Sequence, residues 1–310
     1  HYVLKETPVG VDPFSPDNVL ALCTGILTGT PISGQSRLTS VAKSPLTGCI
    51  GDAQGGGYFP AEMKFSGFDA VIIKGRSPKP LYLRLHHGEA ELRDASHLWG
   101  LTTGDAEDKL KEELDDKRIE VLQIGPAGEN LVRFSALISM SNRANGRTGM
   151  GAVMGSKNLK AVVVRGKMKP AIANPEKFKE IQKLARVNLE PTGMDGFGKY
   201  GTPGVTTPQH RAGGLPTYNF NSGNFDKHEE IDGHKLYNEH LRGHEKDDQN
   251  RFGRDTCFSC SIKCKRVAQI DEGPFKTEAK YGGPEYETLA TFGSYCGISD
   301  MDAIIHANAL

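Results

Sequence analysis

The sequence carries no surplus of charge: 38 Lys+Arg offset 38 Asp+Glu over 310 residues. Without a global field, nucleic acid and anionic membrane surfaces are poor first choices of partner. It also lacks a long apolar run. The richest stretch, Val19 to Leu27, is cut by Thr24 and Gly25, well short of the roughly 18 residues that a membrane span needs. There is no disulfide framework either: of six cysteines, at 23, 49, 257, 260, 264 and 296, three crowd into eight residues and the rest are far apart. Closely spaced thiols of this kind favour metal ligation in a reducing compartment, hence the cytoplasm. No Walker loop, dinucleotide GxGxxG, HExxH or internal repeat occurs, and His1 is not preceded by a charged leader. What is abundant is glycine, 37 residues or about 12% against roughly 7% in average usage. It is clustered, as where backbone must approach something closely.

Up to about residue 168 the chain reads as short strands between Gly and Pro punctuation. Asn18 to Cys23, Arg37 to Ala42, Ala70 to Lys74, Leu81 to Leu85, Ala90 to Arg93, Ile119 to Ile124 and Leu159 to Arg165 are β-branched or alternating, and His87-Gly88 makes a hairpin turn. One amphipathic helix, Asp105 to Leu114, interrupts them, which predicts an α+β, sheet-dominated domain over 1–168. A mainly helical domain is expected over 169–310. Asn174-Pro175-Glu176 starts a helix with Phe178, Ile181, Leu184 and Ala185 on one face. The stretches Glu190 to Gly214 and His228 to Arg254 read as loops or solvated faces. Ser299 with Asp302 predicts the cap of a final helix, with Ile304, Ile305 and Ala309 on one face. Because the chain opens in what reads as the middle of a folding unit and stops inside this helix, both ends are expected to be incomplete.

Cys257-Phe-Ser-Cys260-Ser-Ile-Lys-Cys264 is the sharpest local signal. Three thiolates at this spacing suit an iron-sulfur cluster completed by a fourth ligand, and they suit structural zinc equally well. Two Gly-rich segments follow, Ser44-Pro-Leu-Thr-Gly48 leading into Asp52-Ala-Gln-Gly-Gly-Gly-Tyr-Phe59, and Asn142-Arg-Ala-Asn-Gly-Arg-Thr-Gly-Met-Gly151 leading to Lys160. Bare amides beside Arg143 and Arg147 suit a phosphate-bearing cofactor, and tight turns explain them as well. Gly283-Pro284-Glu285-Tyr286-Glu287 opens a helix with ordinary capping residues.

These segments occur in one order, together with Glu62 to Ala70, Arg93 to Gly100, Ile124 to Asn130 and Val153 to Ala161. In that order they resemble the aldehyde ferredoxin oxidoreductase family of tungsten enzymes, over the whole chain except about 190 to 254. The resemblance implies tungsten (or molybdenum, which the same ligands hold) carried by the dithiolenes of two pterins, beside a 4Fe-4S cluster. It also implies magnesium bridging the pterin phosphates. Members are about twice this length, with an N-terminal two-sheet saddle under the pterins and two helical domains over them. This chain looks like the saddle, without its first strands, and the start of the second domain, and alone it is expected to be inactive.

Carried over residue by residue, Arg37 matches an arginine between pterin and cluster. Gln54 and Gly56 match the first pterin contact; Arg143, Ala144 and Gly146 match the second. Cys257, Cys260 and Cys264 match cluster ligands, and Glu287 matches an acid/base glutamate near the metal. Gln54 departs from the Asn of the best-known members, which implies a shifted magnesium contact. His306 replaces a glutamate that in some members binds a dimer-bridging iron. The resemblance implies aldehyde oxidation with electrons passed to ferredoxin or another carrier protein, in a homo-oligomer or complex subunit. Two other readings stand beside it: a family reductase acting on an acyl-CoA or aromatic substrate, and a zinc-stabilised fragment without redox activity.

Overall fold

The structure, a computed structural model, describes residues 1–187, 191–246 and 252–310, with the side chains of 185–187 left aside. The chain divides into two compact units, His1–Lys179 with Cys257–Ser259, and Glu180–Thr256 with Cys260–Leu310.

The first unit runs α1 (Tyr2–Glu6), β1 (Leu20–Thr24), β2 (Leu38–Lys43), β3 (Ile50–Gly55), α2 (Phe59–Phe65), β4 (Ala70–Ile73), β5 (Leu81–His86), β6 (Glu89–Asp94), α3 (Thr103–Glu113), β7 (Glu120–Gln123), α4 (Pro126–Glu129), β8 (Leu137–Ser139), β9 (Arg143–Asn145), α5 (Met150–Ser156) and β10 (Leu159–Arg165). It is α+β, as expected. A four-stranded sheet of order β3-β2-β1-β4 and a six-stranded sheet of order β6-β5-β10-β7-β8-β9 make its frame. The Ala161-Val-Val-Val164 run of β10 is buried on both faces, so β10 reads as continuously apolar where an exposed strand would alternate. One face joins Val162 and Val164 to Leu20 and Leu22 of β1 and to Met150, Val153 and Met154 of α5. The other packs Ala161 and Val163 with Leu110 of α3.

Two strands and two helices fall where sequence periodicity shows little. β3, Ile50–Gly55, has no β-branched run and owes its extension to antiparallel pairing along β2. Helix α5 begins inside the second Gly-rich segment. A β-carbon on Gly151 would collide with the Ala136 carbonyl, and one on Gly155 with the Gly128 carbonyl. That half of the segment therefore packs helix against backbone.

α6 (Pro175–Val187) begins where expected, with Asn174 Oδ1 accepting from Lys177 N at 3.0 Å. Its apolar stripe is nevertheless open, Ile181 and Leu184 being exposed. The second unit contains α7 (Met194–Tyr200), α8 (Thr206–Arg211), α9 (Gly233–Lys235), a two-stranded ladder of β11 (Arg254–Asp255) and β12 (Lys265–Arg266), α10 (Tyr286–Thr288) and α11 (Met301–Ala309). Both α9 and α10 run on into single π-helical turns.

The reading of 190–254 as loops and solvated faces is corrected here. Leu215, Phe225, Ile231, Leu236, Tyr237 and Leu241 belong to the second unit's core, with Leu289, Met301, Ile304 and Ile305. Apolar residues dispersed among charges at no fixed period hid that core. Glu190 and residues 247–251 of those stretches lie outside the described residues. Two caps also move. Asp300, not Ser299, caps α11 by accepting from Ala303 N at 3.1 Å. Pro284 stands before the cap Glu285, not inside the first turn of α10.

Candidate functional site

Strand alternation settles which side chains of β3 are available. Gly51, Ala53 and Gly55 are buried, whereas Asp52 and Gln54 are exposed. Gln54 lies opposite Thr39 of β2, and Gly55 opposite Leu38. Arg37, just ahead of β2, is exposed.

Against this pair of strands sits β9, fixed by one buried side chain. Asn145 Nδ2 lies within hydrogen-bonding distance of the Ala53 carbonyl at 2.8 Å, the Leu38 carbonyl at 3.2 Å and Ser40 Oγ at 3.3 Å. A β-carbon on Gly55 would collide with the Asn145 carboxamide oxygen. Alternation then exposes Ala144 and Gly146 on either side of Asn145 and buries Arg143. Asn145 thus brings the two Gly-rich segments together, a role hidden in the sequence because a glycine-flanked Asn also suits a turn. A β-carbon on Gly146 would meet nothing nearer than Ala144 at 3.9 Å. No protein neighbour explains that glycine, and open space over a backbone amide is what a ligand phosphate or ring needs.

The first cysteine reaches the same place. The Gly57 carbonyl accepts from Ser36 Oγ at 2.7 Å and from Phe258 N at 3.1 Å. The Phe258 ring stands edge-on to Phe65 at 5.4 Å and to Tyr58 at 6.1 Å. Glycine at 56 gives Cys257 its room, since a β-carbon there would lie 2.8 Å from Cys257 Sγ. A β-carbon on Gly57 would lie 3.1 Å from Arg143 Cγ, and Arg143 Nη1 donates to Asn142 Oδ1 at 2.8 Å. The first unit therefore gathers Gln54, Gly56, Arg143, Ala144, Gly146 and Cys257, with Arg37 following Ser36. Ser36, Asn145 and Phe258 were missed in the sequence, although the bulky aromatic between two cysteines was a usable signal.

In the second unit, the Cys260 carbonyl accepts from Thr256 Oγ1 at 2.8 Å. Lys263, ahead of Cys264, is left-handed with φ 56°. Its carbonyl is held at 2.8 Å by Nη2 of the wholly buried Arg266. Burial and the neighbouring Arg254 guanidinium push Arg266 down to about 10, still charged at neutral pH. Glu287 is exposed. Its neighbour Glu285 is committed to Lys265, 3.2 Å away, and to the Thr202 hydroxyl. His306 Nδ1 donates to the Lys276 carbonyl at 3.0 Å, which leaves the ring's lone pair on Nε2.

None of the six cysteines forms a disulfide. Among the described residues, no three His, Cys, Asp or Glu side chains are gathered as a single metal ion would require. No described helix is long and apolar enough to cross a membrane. The donor set fits the implied groups in kind: soft thiolates seated on glycine for a cluster, and exposed amides beside arginines for pterin phosphates.

Residues 1–166 match the model of the aldehyde ferredoxin oxidoreductase N-terminal domain, and 177–310 that of domains 2 and 3 of the same enzymes. The tungsten-containing aldehyde ferredoxin oxidoreductase of Pyrococcus abyssi is 43% identical over 99% of this chain and 49% of its own length. The enzyme of the same name from Pyrococcus horikoshii is 41% identical over the same shares. The chain thus spans about half the length of the curated relatives it matches. Among solved structures, the active site complex BamBC of benzoyl coenzyme A reductase, with 1,5-dienoyl-CoA, aligns at TM-score 0.76 and 25% identity. That alignment covers 98% of this chain and 47% of the other.

Proposed function

This chain belongs to the aldehyde ferredoxin oxidoreductase family, and from that premise we propose that it forms the cofactor cradle and part of the cluster-binding portion of an enzyme oxidising an aldehyde to a carboxylic acid. Ferredoxin or a similar carrier protein takes the electrons. The observation that carries this reading is the seating of Cys257 on Gly56, in the same unit as Gln54, Arg143 and the open amide of Gly146.

When bound, a tungsten bis-pterin centre supplies the two-electron oxidation and a 4Fe-4S cluster the one-electron exit. The chain's own residues bind and orient. Cys257, Cys260 and Cys264 hold the cluster. Arg37 and Arg143 answer the charge of the pterin phosphates, and the backbone at Gly56, Ala144 and Gly146 lets the cofactor lie close. Gln54 offers its amide oxygen toward magnesium. Exposed Glu287, with no side-chain partner among the described residues, moves a proton to or from substrate or water. A second reading has support of its own in the likeness to the benzoyl coenzyme A reductase complex: reduction of an acyl-CoA or aromatic substrate, with electrons exchanged through other subunits.

The test uses the full-length enzyme. Iron, acid-labile sulfide and tungsten are expected together; zinc alone would overturn the reading. Cys260→Ala is expected to abolish the cluster's broad visible absorption, whereas Arg143→Ala lowers pterin and tungsten content in parallel with the fold intact. Substrate assays separate the two readings. Aldehyde-dependent reduction of ferredoxin supports the first, and turnover of an acyl-CoA without any of aldehydes supports the second.

A further inference from the structure

The ladder next to the third cysteine carries charge that the chain does not answer. Arg254 of β11 and Arg266 of β12 are register partners. Arg266 is wholly buried. Its guanidinium donates to the Gly198 and Lys263 carbonyls at 2.8 Å each and to the Lys199 carbonyl. The Nε of Arg266 and the Nε of Arg254 are both buried and without a partner among the described residues. The nearby carboxylate, Glu285, is spent on Lys265 and Thr202. The packing around the pair is tight. A β-carbon on Gly201, itself at φ +64°, would lie 2.7 Å from the Cys264 carbonyl and 3.3 Å from Arg266 Nε.

Two guanidinium groups cannot shed their protons as lysines can. Burying them side by side on carbonyls alone is unfavourable unless an anion joins them. The segment they hold also contains a strained residue, left-handed Lys263, whose carbonyl Arg266 grips just before Cys264.

We propose that Arg266 is the positioning residue of the Cys264 arm, and that Arg254 and Arg266 together are the built-in counter-charge of an anionic iron-sulfur cluster, raising its reduction potential. This rests on the reading that Cys260 and Cys264 hold such a cluster. Four thiolates and a cluster core carry net negative charge, which grows by one on reduction. Fixed positive charge nearby favours the reduced state. Neither arginine touches substrate, so each acts through the cluster.

The experiment is a potentiometric titration of the cluster in the full-length holoenzyme, followed by electron paramagnetic resonance, with iron and sulfide counted in each variant. Arg254→Gln removes a charge that makes no hydrogen bond. It should lower the ratio of reduced to oxidised cluster at fixed poise about tenfold, a downward shift of ~59 mV for one electron, at unchanged iron content. Arg266→Lys keeps the charge and loses the three-carbonyl fork. It should hold the midpoint near that of the parent and release iron to a chelator several-fold faster. An unchanged midpoint in Arg254→Gln with full iron and sulfide overturns the counter-charge role and leaves the cluster reading intact. Unchanged chelator resistance in Arg266→Lys overturns the positioning role. A parent enzyme without iron and sulfide overturns the cluster reading and this proposal together.

Discussion

Both units bury cations, and they differ in how that charge is answered. In the first, Lys160 is wholly buried on Glu129, with its ammonium also donating to the Leu101 carbonyl at 3.0 Å. Lys157 donates to the Pro16 and Gly75 carbonyls at 3.3 Å. Burial and nearby Arg76 push it down to about 8, within one unit of losing its charge at neutral pH. In the second unit the buried cation is an arginine on carbonyls, beside another arginine. A lysine in such a place can become neutral; an arginine cannot. The first unit is thus electrostatically complete as a scaffold, and the second holds a standing positive charge until a ligand arrives.

The largest expected effect sharpens the scaffold side of this contrast. Glu129 Oε2 also accepts from Gly100 N at 2.8 Å, so Glu129→Gln leaves Lys160 charged, buried and unpaired. Denaturant unfolding should show a loss of about 3–5 kcal/mol. Replacing both partners, Glu129→Leu with Lys160→Met, should recover most of it. If Glu129→Gln unfolds like the parent, the first unit does not depend on pairing its buried charge.

Next in size is Asn145→Ala, which strands the Ala53 and Leu38 carbonyls that Asn145 now serves. Loss of this hydrogen bonding should lower stability by about 1–3 kcal/mol. Because Asn145 spaces β9 from β2 and β3, pterin content of the full-length variant should fall further than stability alone explains. A variant with full pterin and the same loss of stability would make Asn145 a core residue and nothing more.

These contrasts also mark what could be read before the fold was known. β10 and the β5–β6 hairpin were legible because a valine run and a His-Gly turn act locally. The order of Gly-rich segments and cysteines was legible as a family pattern, and the first unit brings several of its members into one place. Three things were not. β3 is a strand only because β2 pairs with it. The second Gly-rich segment divides into an exposed part at Ala144 and Gly146 and a packing part at Gly151 and Gly155, and only the neighbouring carbonyls separate them. Arg254 and Arg266 lie in and beside a charge-dense stretch that reads as solvated. Burial there is decided by the carbonyls of α7 and the Cys264 loop, far away in sequence.

The smallest effect tests whether the second unit has any buried charge it can switch off. His240 Nδ1 pairs with Asp302 Oδ1 at 3.0 Å, while its Nε2 is buried and without a partner among the described residues. Burial lowers its pKa below the ordinary histidine value, outweighing Asp302, which raises it, and Glu239, with Lys235 adding a little to the lowering. The folded ring is therefore neutral where the unfolded one is already protonated. Stability is fully present above the unfolded pKa near 6.5 and is lost as pH falls below it toward the depressed folded value. His228 is lowered in the same direction, mainly by burial and by its neighbour His210, so the parent should melt a few degrees lower at mildly acidic pH than at neutral pH. His240→Gln keeps a donor for Asp302 and should flatten about half of that slope. An unchanged slope would mean that His240 charges freely in place, and that the second unit tolerates added positive charge without an anion to meet it.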